Sequence, residues 1–214
     1  NVAFTGRAKR RAPFIKTLGI LAYFRFFLSK IEARKSTMEK IFYVALIMTL
    51  ANFHSSVAYA HASLEVKEAQ KNSTYKAVMR IGHGCEGSPT KVVRIQIPEG
   101  VIKVKPKPVA GWSISIKNAE YKKTYDYHGK KINEGVREIV WSGGNLPDNY
   151  YEEFIFRARI TNAFNPGETV YFPTIQECEE GEILWIQIPA ENQDAHDLKR
   201  PSPSLKIVKS KQHH

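Results

Sequence analysis

The sequence predicts an all-β protein, a two-sheet antiparallel sandwich, preceded by a targeting segment. Three observations carry this. Short runs alternate apolar and polar residues with a period of two, the pattern of half-buried strands. Turn residues (Gly, Pro, Asn, Asp) separate those runs. No stretch beyond residue 60 keeps a helical period.

In chain order, Tyr75, Ala77, Met79 and Ile81 alternate with Lys76 and Arg80, so Met79 belongs to a core stripe. Val93, Ile95 and Ile97 alternate with Arg94 and Gln96, and Trp112, Ile114 and Ile116 with Ser113, Ser115 and Lys117. Phe154, Phe156, Ala158 and Ile160 alternate with Arg157 and Arg159. Leu184, Ile186 and Ile188 alternate with Trp185 and Gln187, which puts Trp185 on the outward side. Turns fall at Gly84 to Pro89, Pro98 to Gly100, His128 to Lys130, Ser142 to Asp148, Asn165 to Gly167 and Glu179 to Glu182. Strands at this spacing favour a two-sheet sandwich over residues 61–190. Residues 191–214, with Pro201 and Pro203, read as an extended arm on the surface. A chain that is 43% hydrophobic and 25% charged buries a core, so wholesale disorder is excluded.

The 214 residues hold 32 Lys and Arg against 21 Asp and Glu, a net charge of +11. Such basicity invites a nucleic-acid partner. Its distribution argues otherwise. Residues 1–60 contain ten bases and two acids, leaving 22 against 19 for the remainder. That remainder shows no basic-aromatic cluster, and no nucleic-acid partner is expected.

The basic first quarter reads as a leader. Met38 is the first methionine, and after Met38-Glu39-Lys40 an apolar run extends from Ile41 to Ala51. A polar stretch then leads to Ala58-Tyr59-Ala60, a small-x-small cleavage site. The run is too short to span a bilayer, which needs ~20 apolar residues. Residues 1–37 are therefore expected to be a gene-model extension or longer leader, and residues 38–60 a signal peptide. The product would be periplasmic or secreted, with no stable membrane anchor after cleavage. Cleavage after Ala60 makes His61 the first residue. An N-terminal histidine offers an α-amino nitrogen and an imidazole from one residue, a chelate suited to Cu(II).

Cys85 and Cys178 are the only cysteines. An even count in an exported domain implies a disulfide, here closing a 93-residue loop. Two free thiols or a thiolate metal site are the alternatives, and the absence of CxxC spacing disfavours zinc.

Three stretches together resemble the YcnI-like family of exported copper-binding domains, long classed as a domain of unknown function. They are His83-Gly84-Cys85-Glu86-Gly87-Ser88-Pro89-Thr90, Ile139-Val140-Trp141-Ser142-Gly143-Gly144-Asn145-Leu146-Pro147, and Phe172-Pro173-Thr174-Ile175-Gln176-Glu177-Cys178 with Gly181 and Trp185 following. The likeness runs from about His61 to Ile207. It implies an immunoglobulin- or cupredoxin-like sandwich carrying a monohistidine brace. In that arrangement one Cu(II) is held by the amine and imidazole of the first residue, with a glutamate completing the site and a tryptophan nearby. Carried onto this chain, the brace histidine is His61 and the glutamate is Glu153, within Tyr150-Tyr151-Glu152-Glu153-Phe154. Trp185 is preferred as the aromatic, with Trp141 as the alternative. Strand phase sets His61 with Ser63, Glu65 and Lys67, Glu153 with Arg157, and Trp185 with Gln187, so all three are expected to point outward. The chain departs from the family pattern at Val109-Ala110-Gly111-Trp112, where a proline often precedes the glycine.

Competing assignments have their own residues. Glu152, Glu65 or Glu68 could replace Glu153. His83 reads as a hydrogen-bonded turn residue, His128 as an exposed turn residue, and His213 and His214 as a loose tail pair. The expected function is binding, buffering or delivery of Cu(II) outside the cytoplasm, without enzymatic activity. The partners expected are the copper ion and a copper transporter or another copper carrier. An amine, an imidazole and a carboxylate suit Cu(II) and hold Cu(I) poorly, so reduction would release the metal. One competitor is a copper oxygenase, which needs a second histidine; His83, His128, His196 and the tail pair lie in no motif of that kind. The other is a metal-free adhesive sandwich.

Overall fold

The computed structural model describes residues 61–209. The targeting segment, its cleavage site at Ala60, and the His213–His214 pair lie outside the described residues.

These residues form twelve strands and one 3₁₀ turn at Ala195–Asp197, with no α-helix among them. The first sheet is built on β3 (Ser73–Ile81) and β8 (Glu152–Ile160), flanked by β1 (Ser63–Leu64) and β5 (Val101–Pro106) in the order β1-β3-β8-β5. The second contains β4 (Thr90–Gln96), β6 (Ser113–Tyr127), β7 (Lys130–Leu146), β10 (Thr174–Cys178) and β11 (Glu182–Trp185), in the order β11-β10-β4-β7-β6. A third small sheet joins β2 (Glu68–Gln70), β12 (Ser204–Val208) and β9 (Thr169–Tyr171). All pairings are antiparallel except β12 with β2. No helix among the described residues is long and apolar enough to cross a membrane.

The alternation read from the sequence holds where a strand has one buried face. Tyr75, Ala77, Met79 and Ile81 of β3 oppose Ala158, Phe156, Phe154 and Glu152 of β8, and the apolar members are buried. Val93 and Ile95 of β4 face them from the second sheet within the same core, together with Trp141 and Phe172. Each such large side chain, fully withdrawn from water, contributes about 1.5–3 kcal/mol before chain entropy is counted. In β6 the alternation fades, because β6 is a sheet edge: Trp112 just before it and Ile114 within it are half-buried, and Ile116 is exposed.

Two expectations are corrected. The phase of β11 is the reverse of the one predicted: Ile183 and Trp185 are buried, whereas Ile186 and Ile188 are exposed beyond the strand's end. The stretch after residue 190 is also more than a surface arm. Leu205 and Ile207 of β12 are both fully buried in the main core, and β12 lies between β2 and β9. The strand begins immediately after Pro203, so the prolines end where pairing begins.

β6 and β7 form a long hairpin whose tip is His128-Gly129, both at positive φ (52° and 76°). That pair of left-handed residues makes the tight turn compatible with strand twist. The Gly129 N–H also donates to Asp126 Oδ1 (3.1 Å). His128 is thus a turn residue at the hairpin tip, as its sequence context predicts.

Candidate metal centre

β1 ends the first sheet and β11 ends the second, so each presents an open edge. His61 lies two residues before β1, half-buried. Its imidazole meets the Trp185 indole edge-on, with ring centroids 5.7 Å apart and planes at 78°. This contact links the two sheets at one edge of the sandwich. Trp185 is 4% exposed. It does not project outward as predicted, but backs His61 from inside.

The indole is held by a buried amide. Trp185 Nε1–H donates to Gln176 Oε1 (3.0 Å), and Gln176 Nε2 donates to the His83 carbonyl (2.6 Å) and to Thr90 Oγ1 (2.8 Å). Gln176 and Thr90 are both essentially inaccessible. A glutamine amide has two donors and an acceptor, and all are used here, which is what makes its burial tolerable. The network spans β10, β11, the start of β4 and the turn at His83, and locks the indole's orientation.

The His83-Gly84-Cys85 turn is close-packed. A side chain at Gly84 would bring its Cβ to 2.1 Å from the Ser88 carbonyl oxygen and 3.2 Å from Asp148 Cα, so only glycine fits. Cys85 and Ser88 exchange backbone hydrogen bonds (2.8 and 2.9 Å) across Glu86 and Gly87, both at positive φ. Cys85 is disulfide-bonded to Cys178, as predicted, with Cα atoms 6.0 Å apart. The bond ties this turn to the end of β10. His83 Nδ1 faces the Gly84 carbonyl and lies 3.7 Å from Asp148 Oδ1. A carbonyl only accepts, so Nδ1 carries the proton.

Glu153 lies on the outer face of the first sheet. Ser63, Arg80 and Glu153 are in register across β1, β3 and β8. Arg80 Nε donates to Glu153 Oε1 (3.2 Å), and the same guanidinium reaches Glu65 Oε1 (3.3 Å). The structure thus brings His61 and Trp185 together and sets Glu153 in the neighbouring row, turned to Arg80. Glu152, the first residue of β8, accepts from the Glu153 N–H (2.8 Å). Trp141 is fully buried against Phe154 (5.4 Å), its Nε1–H donating to the Lys107 carbonyl (3.3 Å). Trp141 is a core residue between the sheets. Tyr75 braces the edge: its hydroxyl donates to the Val66 carbonyl, and burial, then the nearby Glu65 charge, push its pKa well up, so it stays a donor.

Among the described residues, no three His, Cys, Asp or Glu side chains converge as a metal cage. Sequence reasoning missed Gln176 and Arg80. Gln176 had a signal: it is a polar residue at a core-phase position, two after Thr174. Arg80 had none, since its pairing joins strands 73 residues apart.

Residues 61–207 match the family described as a domain of unknown function, DUF1775. The match begins at His61 and ends within β12. Comparison with curated proteins returns no match. Among solved structures, the chain is similar to an uncharacterized protein from Nocardia farcinica whose crystal structure has an immunoglobulin-like fold. The two share 19% identity at a TM-score of 0.52, over 70% of this chain and 99% of that one. At that identity the likeness speaks for the fold, an immunoglobulin-like sandwich. With the family match running from His61 into β12, the chain belongs to the DUF1775 family, that of the YcnI-like proteins.

Proposed function

We propose that this protein is exported and binds Cu(II) outside the cytoplasm, buffering it or delivering it to a copper transporter or carrier, without catalysing a reaction. The metal would be held by the amine and imidazole of His61, freed as residue one by cleavage after Ala60, with Glu153 as the carboxylate. The single observation that carries this is the position of His61. It opens the family domain, and its ring lies at an open sheet edge against a buried, oriented indole.

The residues fit the ion by donor chemistry. Amine and imidazole nitrogens with one carboxylate oxygen favour Cu(II), and nothing soft is present to retain Cu(I). The arrangement of Glu153 is compatible with transfer to a metal, because Arg80 is shared by two carboxylates. When Glu153 turns away, Glu65 still neutralises the guanidinium, so the exchange leaves no unpaired charge. Trp185 shields the inner side of the imidazole and excludes water there. Bound copper would supply a redox-active centre that loses its preferred ligands on reduction.

Three proteins test this: one beginning at His61, its His61→Ala variant, and one with a single residue added before His61. The first should bind one Cu(II), as read by competition titration and EPR, and release it when ascorbate is added. The other two should bind far more weakly. If the extended protein binds as tightly as the first, the amine is no ligand and the proposal fails.

A further inference from the structure

We propose that the outer face of the first sheet docks on an anionic phospholipid surface, an interaction that stands apart from the copper reading and uses none of its ligands. A row of like charges carries it. Lys76 of β3, Arg157 of β8 and Lys105 of β5 are directly opposed across three neighbouring strands, and all three are exposed. Strands lie about 4.8 Å apart, so three cations fall within about 10 Å. One row on, Arg159 opposes Thr74 and donates to the neutral Asn72 Oδ1 (2.7 Å). Among the described residues, no carboxylate lies within ion-pair distance of any of these four.

The backbone is bent to build this row. Like charges directly opposite each other destabilise a sheet. Elsewhere on the same face charge is balanced, for Arg80 sits between Glu65 and Glu153. β5 reaches the row only through a bulge. Val101 and Ile102 oppose Ile160 and Arg159, and an unbroken register would then set Val104 against Arg157 and turn Lys105 inward beside Phe156. The register shifts instead, with Lys103 at φ 53°, a conformation that side chains disfavour. Val104 is thereby buried and Lys105 delivered to the outer face. A strained residue that adds a third cation to a repulsive row points to an anionic ligand.

The composition of the face selects the partner. Protein interfaces are built around buried aromatic or apolar anchors. The exposed large apolar side chains of the described residues lie elsewhere, none of them in β3, β5 or β8. Single-stranded nucleic acid needs aromatic platforms for its bases, and the row has none. Cations spread over an open sheet face suit lipid phosphates, which are attracted without a fixed geometry. Such docking is peripheral and reversible, and requires no anchor. Arg80 and Glu153 lie four residues along β3 and β8 from Lys76 and Arg157, about 13 Å. The docked face therefore brings the candidate metal edge beside the lipid surface.

The test uses the protein beginning at His61, without metal, sedimented with vesicles of phosphatidylcholine alone or mixed with phosphatidylglycerol. It should bind the anionic vesicles and not the neutral ones, and should be released at about 1 M salt, where the screening length is about 3 Å. Each cation near an anionic surface contributes about fivefold in binding, so Lys76→Thr with Lys105→Thr should weaken it about 25-fold. The Tm of that variant should hold or rise, because repulsion across the row is relieved. Lys91→Thr with Lys199→Thr makes the same change in net charge outside the first sheet and should leave binding unchanged. Equal binding to neutral vesicles would overturn the proposal, and so would an equal loss in both double variants. Tighter binding to duplex DNA or polyglutamate at the same anionic charge would also overturn it, giving the row to nucleic acid or to an acidic protein. Failure of the protein to bind copper would leave it standing.

Discussion

The two ends of the five-stranded sheet are secured by different means, and only one carries the candidate centre. At the end where β10 meets β4 and β11, a covalent bond, a side-chain-free glycine and a fully buried amide fix the turn at His83 and the indole of Trp185. At the other end, β6 and β7 run past β4 as a two-stranded hairpin, for β4 pairs with β7 only as far as Glu138. There a small satellite cluster of Ile102, Tyr121 and Tyr125 replaces the main core. One carboxylate, Glu99, clasps it, accepting from the Lys122 N–H, the Tyr125 hydroxyl and the Arg137 guanidinium. The first end is dry and covalent, the second polar and partly wet. A ligand position needs rigidity, and the molecule concentrates its rigidity around the indole that backs His61.

Breaking the covalent end should have the largest effect. For the 93-residue loop, Cys85→Ala with Cys178→Ala removes roughly 4–5 kcal/mol by the chain-entropy argument, an upper figure. That corresponds to a fall in Tm of roughly 8–20 °C for a domain of this size, measured by calorimetry. Copper affinity should fall with it, because the turn that anchors Gln176, and through it the Trp185 indole behind His61, loses its tether. Hydrogen exchange across the β6–β7 hairpin should change little below the global transition. A Tm within about 2 °C of the parent would mean that the unfolded chain is not constrained by this bond.

The smaller clasp offers the converse experiment. Tyr125→Phe removes a hydrogen bond to Glu99 (2.8 Å) while keeping the ring against Tyr121. A loss of about 1 kcal/mol is expected. It should appear as faster amide exchange between residues 118 and 137, with copper binding unchanged. Equal loss of protection in β10 and β11 would show that the two ends are one cooperative unit, and the contrast drawn between them would fall.

How much of this could be read from the sequence depended on whether a strand had two distinguishable faces. β3, β4 and β8 alternate cleanly because one side is dry and the other wet. β11 and its continuation read Ile183-Leu184-Trp185-Ile186, apolar in both phases, so local pattern cannot choose. The sheet edge chooses, by ending the strand at Trp185 and leaving Ile186 outside. β12 was hidden because Leu205, Ile207 and Val208 make only a short apolar set between prolines and lysines; a parallel partner, β2, more than a hundred residues earlier gives Leu205 and Ile207 a core to join. Within the candidate centre, the Cys85–Cys178 bond was legible from counting cysteines, and His61 from the cleavage site and the family resemblance. The engagement of Glu153 by Arg80 was not, since it depends on the register of β3 with β8.

The point where the hairpin leaves the sandwich supplies the smallest effect and the finest test. Glu138 of β7 is nearly buried, between Gln96 of β4 and Lys117 of β6. Burial alone would raise its pKa. The hydrogen bonds from Lys117 and Gln96, with the charges of Lys117 and Arg94, outweigh burial and hold it below the ordinary value near 4.5. A carboxyl whose folded pKa is depressed adds stability that is complete above its unfolded pKa and is lost as pH falls through the folded one. The parent should therefore weaken in acid below about pH 4.5, read as a falling urea midpoint. Glu138→Gln should be slightly less stable at neutral pH and show a flatter acid limb. Because Lys117 and Gln96 belong to strands on either side, the variant should also loosen the hairpin's root before it disturbs β10. If the acid limb keeps its slope, the carboxylates that govern it lie elsewhere, with Glu99 at the clasp the next to replace.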